Sequence, residues 1–273
     1  MRFCLLHVLL CTGVTLSPGC SSKPTETITV ATTTSTRDSG LMDTLVLLFE
    51  NKTGISVKTV VAGTGQAIKI GRRGDADLLL THAPDAEKEF VEQGFGKNRQ
   101  LVMYNDFVLV GPKDDPALVK NTRGITHGFA AVADFHSPFI SRGDNSGTHI
   151  KEQAIWKKAG IKPDGDWYIT VGAGMAQSLQ VAFEKRGYTL TDRGTYLVHR
   201  DRFDLDIVAQ GDEILRNEYA VTLISPAKHP HVNKDGAKRF ADFLLSSETQ
   251  NVIEEFGVAK FGEPLFFPAS AIE

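Results

Sequence analysis

Three short stretches of this chain place hydrogen-bond donors where a strand gives way to a helix. The first is Thr32-Thr33-Thr34-Ser35-Thr36, followed by Arg37-Asp38-Ser39-Gly40. Each hydroxyl can donate a hydrogen bond, and a helix start leaves backbone N–H groups without intrahelical acceptors. Together these features form a cradle for an anion. Capping alone needs one residue, Ser39 or Asp38, and not five hydroxyls in a row. The second stretch is Ala62-Gly63-Thr64-Gly65-Gln66. Its glycines let backbone approach a ligand closely, although a tight turn explains them equally well. The third is Ser141-Arg142-Gly143-Asp144-Asn145-Ser146-Gly147-Thr148. Arg142 offers a forked, permanently charged donor to an oxyanion. Ser146, Gly147 and Thr148 add hydroxyls and amides at a helix start. An ion pair between Arg142 and Asp144 is the other use of that guanidinium, and the two uses are compatible. A fourth turn, Gly172-Ala173-Gly174-Met175, either adds amides or packs a helix closely.

Other chemistry is not supported. No spacing of metal ligands stands out, and no nucleophile elbow is present. The glycine turns lack the lysine and spacing of a P-loop. Arg142-Gly143-Asp144 reads as part of a ligand loop and not as an adhesion motif. His149, His229 and His231 read as solvent-facing side chains.

The elements that must position these junctions alternate along the chain. Strand signals fall at 27–31, 55–61, 77–80, 106–110, 138–141, 167–171 and 218–224. Helix signals fall at 41–50, 66–72, 84–93, 128–135, 147–159, 175–185, 236–245 and 248–256. Alternation of this kind predicts an α/β fold with largely parallel sheets. In such a fold, ligands sit where loops leave the carboxyl ends of strands.

The first residues read as a secretory signal segment. Arg2 is followed by a mostly apolar run, 3–16, too short to span a bilayer as a mature helix. Ser17-Pro18-Gly19-Cys20 resembles a lipobox, although Ser17 and Pro18 are unusual in one, and predicts lipid anchoring at Cys20. All three cysteines, Cys4, Cys11 and Cys20, lie in this leader. The mature domain therefore has no disulfide and no thiol chemistry. The formal charge of −3 gives no nucleic-acid footprint. An anion must be held by local donors and not by the overall field.

The stretches ATTTSTRDSGL, VAGTGQA, GRRGDADLLLTHAP, MYNDFVLVGP, SRGDNSGTHIKE and YTLTDRGTYL together resemble the tungstate-binding proteins of bacterial ABC importers. The resemblance samples most of the mature chain. It implies a two-lobed periplasmic-binding-protein fold with two crossing hinge strands. Lobe I would be 27–110 plus 221–273 and lobe II 111–220, with crossings near Asp106 to Gly111 and Val221 to Ser225. It implies a monomer that captures tungstate, with molybdate the nearest alternative, and no catalysis or cofactor. A membrane permease and ATPase would be the partners, and the location extracytoplasmic. Carried over residue by residue, the ligand would be held by Thr33, Thr34, Ser35, Thr64, Arg142, Ser146, Gly147 and Thr148.

Phosphate is a further candidate, because the third junction also looks like a loop of phosphate-binding proteins. Those proteins supply an acceptor carboxylate in a loop resembling Thr81-His82-Ala83-Pro84, where this chain has His82. A pocket rich in donors suits a fully deprotonated dianion better than one that carries a proton. An enzyme acting on a phosphorylated substrate would need a metal or a general base beside the phosphate. Asp38 and Asp144 are the carboxylates near the junctions, and each is more simply a cap or a partner for Arg142.

Overall fold

Strand β1 (Thr27–Thr33) sets Ile28, Val30 and Ala31 among threonines and lies largely buried between two neighbours. It runs parallel to β2 (Ser56–Ala62), with Thr33 opposite Ala62, and parallel to β3 (Leu78–Thr81) on its other edge. Each connection is a helix packed on the sheet: α1 (Leu41–Thr53) after β1 and α2 (Thr64–Arg73) after β2. The computed structural model describes residues 26–33, 36–37 and 39–269. The leader with Cys20, and Thr34, Ser35 and Asp38, lie outside the described residues.

After α3 (Pro84–Glu92) the chain enters β4 (Gly96–Pro112), a strand of 17 residues that serves two sheets. Its first part, from Gly96 to Asp106, pairs antiparallel with β9 (Arg216–Ile224). From Phe107 onward it pairs antiparallel with β7 (Thr189–Asp192) and β8 (Leu205–Ala209). Beside that second sheet, β5 (Phe139–Ser141) and β6 (Tyr168–Thr170) form a two-stranded parallel pair of their own. The bridge from Phe139 to Tyr188 sets that pair beside β7. Helices α4 (Ile125–Asp134), α5 (Gly147–Lys158) and α6 (Met175–Lys185) pack in this half, with α7 (Arg193–His199) following β7. The chain returns through β9 to the first sheet, where α8 (Lys234–Leu244), α9 (Ser247–Glu255), α10 (Val258–Phe261) and the short β10 (Phe267–Pro268) complete it.

The first sheet runs β10-β4-β9-β3-β1-β2. Its β3–β9, β9–β4 and β4–β10 pairs are antiparallel. The expectation of largely parallel sheets is therefore corrected. Strand–helix alternation predicts parallel neighbours only where a strand returns to the same sheet, whereas β4 runs on into a second sheet and β9 comes back antiparallel between β3 and β4. The strand expected at 106–110 is likewise only the second half of β4, because the first half carries the polar residues Lys97, Asn98, Arg99 and Gln100. Residues 221–224, expected near a crossing, are paired with β3 on one side and β4 on the other. The chain enters that sheet earlier, at Arg216.

Each sheet is covered on two faces. Phe49 and Phe240 meet edge-on at 4.9 Å within one cluster of the first sheet, and Phe90 anchors the opposite one. Phe129, Phe139 and Trp156 form the matching centre of the second half, with Leu179 and Ala182 on its other face. Truncating such a fully buried aromatic side chain typically costs about 3–5 kcal/mol.

Candidate functional site

Between the two sheets the chain encloses a cleft of ≈ 790 Å³. One wall is the start of α5. Ser146 is the N-cap residue, and its Oγ accepts from the His149 backbone N–H at 3.3 Å. A hydroxyl that accepts there keeps its own proton to donate elsewhere. Gly147 and Thr148 follow in the first turn, and all three line the cleft. A helix of 12 residues leaves its first amides and the positive end of its dipole on this wall.

Arg142 lines the same cleft, and its Nη2 donates to Asp144 Oδ2. Arg142 Nε is buried without a hydrogen-bond partner, so the fork has capacity left for an oxyanion. Asp144 Oδ1 also accepts from the Ser146 backbone N–H at 3.1 Å. Burial works to raise the Asp144 carboxyl. The hydrogen bonds from Ser146 and from the Arg142 guanidinium outweigh it and hold the group below its ordinary range. The carboxylate thus braces the loop that carries the guanidinium. Gly143 sits at φ 63°, and a Cβ there would stand 2.1 Å from Thr170 Cγ2, so the tight turn against β6 requires glycine. The fourth glycine turn supports this loop and does not line the cleft. The Gly172 N–H donates to the Arg142 carbonyl at 2.8 Å.

Thr33 and Thr64 lie near one another at the ends of adjacent strands, but neither lines the cleft. Thr33 is buried, and its carbonyl accepts from Thr36 Oγ1 at 2.9 Å. Thr36 Oγ1 also meets Thr32 Oγ1 at 2.9 Å, while Thr32 donates to the Leu80 carbonyl. Part of the hydroxyl run therefore satisfies itself inside the fold. Thr34 and Ser35 lie outside the described residues. Ser39, from the same segment, does line the cleft.

The opposite wall holds a polar relay. His82, in the loop between β3 and α3, faces the cleft with Asn105, Asn217 and Tyr219. His82 Nδ1 lies 3.0 Å from Asn217 Oδ1. Asn217 Nδ2 donates to Asn105 Oδ1 at 2.8 Å and to Tyr219 Oη at 3.3 Å. The His82 and Tyr219 rings lie 4.9 Å apart.

This geometry has close counterparts. A family model described as a PBP superfamily domain matches residues 20–248. A tungstate-binding protein TupA of Peptoclostridium acidaminophilum is 47% identical over 246 residues, covering 89% of this chain and 86% of the relative. The solved tungstate-binding protein TupA of Desulfovibrio alaskensis G20 superposes with a TM-score of 0.84 at 43% identity, covering 89% of this chain and 98% of that one. The structure titled as the tungstate ABC transporter of Geobacter sulfurreducens gives a TM-score of 0.72 at 44% identity, covering 85% of this chain and 99% of that one. The chain belongs to the PBP superfamily.

The two-lobed PBP fold explains the sheet change within β4. The likeness to tungstate-binding proteins carried by the motifs extends over most of the chain. In this PBP cleft, residues beyond the donor-rich junctions also count. Asp192, N-cap of α7, accepts from Thr195 N at 2.8 Å and Thr195 Oγ1 at 2.7 Å, and both residues line the cleft. They lie in the TDRGT stretch. Asn105 lies in MYND. Both stretches carried the resemblance, but isolated amides and capping carboxylates have no spacing that marks a ligand. Asn217 and Tyr219 gave no signal beyond a strand. His82 was visible only through the comparison with a phosphate-binding loop. His229, read as solvent-facing, is half-buried and stacks on Phe95 at 6.3 Å.

Proposed function

We propose that this protein is an extracytoplasmic solute-binding protein that captures tungstate for an ABC importer. Its relatives are named for tungstate binding, one as a tungstate-binding protein and one as a tungstate ABC transporter. The observation that carries the reading is the wall of donors at the start of α5. Arg142, Ser146, Gly147 and Thr148 all line one cleft, where a guanidinium fork, helix-start amides and hydroxyls are available as donors. That wall suits a small oxyanion. The names of the relatives, at 47% and 43% identity, favour tungstate, with molybdate next. Thr33, Thr34, Ser35 and Thr64 complete the ligand set from the other lobe when the cleft narrows.

Lobe I is read as residues 27–106 plus 216–268 and lobe II as 107–215, with crossings at Asp106/Phe107 and Leu215/Arg216. A monomer anchored by lipid at Cys20 delivers the anion to a permease and its ATPase. Among the described residues no helix is long and apolar enough to cross a membrane. A thermal-melting panel with tungstate, molybdate, sulfate and phosphate tests the reading. Tungstate and molybdate should raise the melting temperature, because ligand binds only the folded state. No response to either would overturn it.

A further inference from the structure

His82 is the titratable side chain that the donor wall does not use. Its Nδ1 faces Asn217 Oδ1, an oxygen whose own amide nitrogen is committed to Asn105 and Tyr219. An amide oxygen can only accept, so Nδ1 carries the proton. The neutral ring then leaves Nε2 as a lone-pair acceptor. Nε2 has no hydrogen-bond partner among the described residues, and His82 lines the cleft. A fully deprotonated dianion has no proton to offer that nitrogen.

Resting on the tungstate reading, we propose that His82 makes anion capture proton-linked: its Nε2 takes up one proton when a fully deprotonated dianion binds, and the resulting imidazolium becomes a ligand donor. Burial holds the empty-state imidazole below the ordinary histidine range, against the hydrogen bond to Asn217, which acts to raise it. The charged groups around it act in opposite directions. Glu87 of α3 acts to raise the imidazole and Lys151 of α5 to lower it. Glu87 is itself engaged by Thr81, the Ala83 N–H and Arg99. Lys151 Nζ is held by the Ile214 and Arg216 carbonyls at 2.8 and 3.1 Å. From β9, Asn217 and Tyr219 meet the ring at 3.0 and 4.9 Å, and Asn105 of β4 and Arg142 line the same cleft. An arriving dianion adds negative charge beside the ring and so raises the imidazole. Affinity should fall by up to about tenfold per pH unit as pH rises between the empty and bound values, and level off outside that window. Hydrogen phosphate, which brings its own proton, would fill Nε2 without uptake.

The test is calorimetry of tungstate binding at neutral pH in two buffers of different protonation enthalpy, with the wild-type protein, His82→Gln and Glu152→Gln. Wild type and Glu152→Gln should take up as much as one proton per tungstate, and His82→Gln none. A nitrogen-detected magnetic resonance spectrum of the wild type gives the same answer without a variant. The His82 ring should change from the Nδ1–H tautomer to imidazolium on adding tungstate. Equal heats in both buffers with tungstate bound, or uptake lost in Glu152→Gln and kept in His82→Gln, would overturn the proposal alone. Absence of tungstate binding would overturn the functional reading with it.

Discussion

Arg193, the first residue of α7, grips Asp106 of β4 through two hydrogen bonds of 2.8 and 2.7 Å, at the point where β4 leaves one sheet for the other. The guanidinium also reaches Glu263, beyond α10, at 2.9 Å and Gln210 at 2.7 Å. One side chain thus ties the crossing strand to elements on both sides of the cleft. Both partners of the central pair are about nine-tenths buried, at 10% and 9% exposure. Removing one member of a buried pair strands the other charge. Asp106→Ala should therefore destabilise the protein by about 3 kcal/mol, the low end of that class, because Glu263 and Gln210 remain. Denaturant unfolding measures it, and a loss under about 1 kcal/mol would show that the pair is dispensable.

Arg142 is the charged donor of the α5 wall, and its fold role is limited to Asp144. Arg142→Ala should weaken tungstate binding by about 2–5 kcal/mol with little change in the unfolding midpoint. Arg142→Lys should also lose affinity, because an ammonium cannot reproduce the planar fork. Calorimetry of both variants checks this, and unchanged affinity in both removes Arg142 from the site.

Much of this was legible in the sequence. The donors at 142 and 146–148 are conspicuous because helix starts announce themselves through hydroxyl and glycine residues, and the structure brings these four to the cleft. The alternation of elements is legible over most of the chain, apart from the first half of β4, β7, α7, β8, α10 and β10. The sheet directions are not legible, since they depend on where β4 passes from one sheet to the other and on β9 returning between β3 and β4, and no local pattern encodes that. The relay from His82 to Asn217 joins residues 135 positions apart, so only the fold can reveal it.

Glu152 lies one turn beyond Thr148, buried beneath the Arg142 loop. Its carboxyl accepts from Tyr168 Oη at 2.7 Å and Trp156 Nε1 at 3.3 Å. Burial pushes the carboxyl up to about 7, with those hydrogen bonds opposing. A raised carboxyl contributes stability that is fully present below its unfolded value of 4.5 and lost as pH rises through about 7. This group alone should make the protein about 3 kcal/mol less stable above pH 7 than below its unfolded value. Glu152→Gln keeps the shape and removes the titration, so its unfolding free energy should show correspondingly weaker pH dependence than the wild type. Parallel curves would rule out this source.

With the lobe crossings read as proposed above, the two lobes should close on the ligand by rotation about the crossing strands. Small-angle scattering should give a smaller radius of gyration with saturating tungstate than without. An unchanged radius alongside a raised melting temperature would mean that the lobes are closed before the anion arrives.

In the proposed function the cleft selects a fully deprotonated oxyanion of the tungstate class. Its most direct test is a calorimetric titration of the purified mature protein with tungstate, repeated in a large excess of phosphate. One tungstate per chain should bind, with nearly the same affinity in both titrations, and Arg142→Ala should bind it far more weakly. Displacement of tungstate by phosphate at comparable concentration would contradict the specificity, and no heat of binding with tungstate at all would contradict the account as a whole.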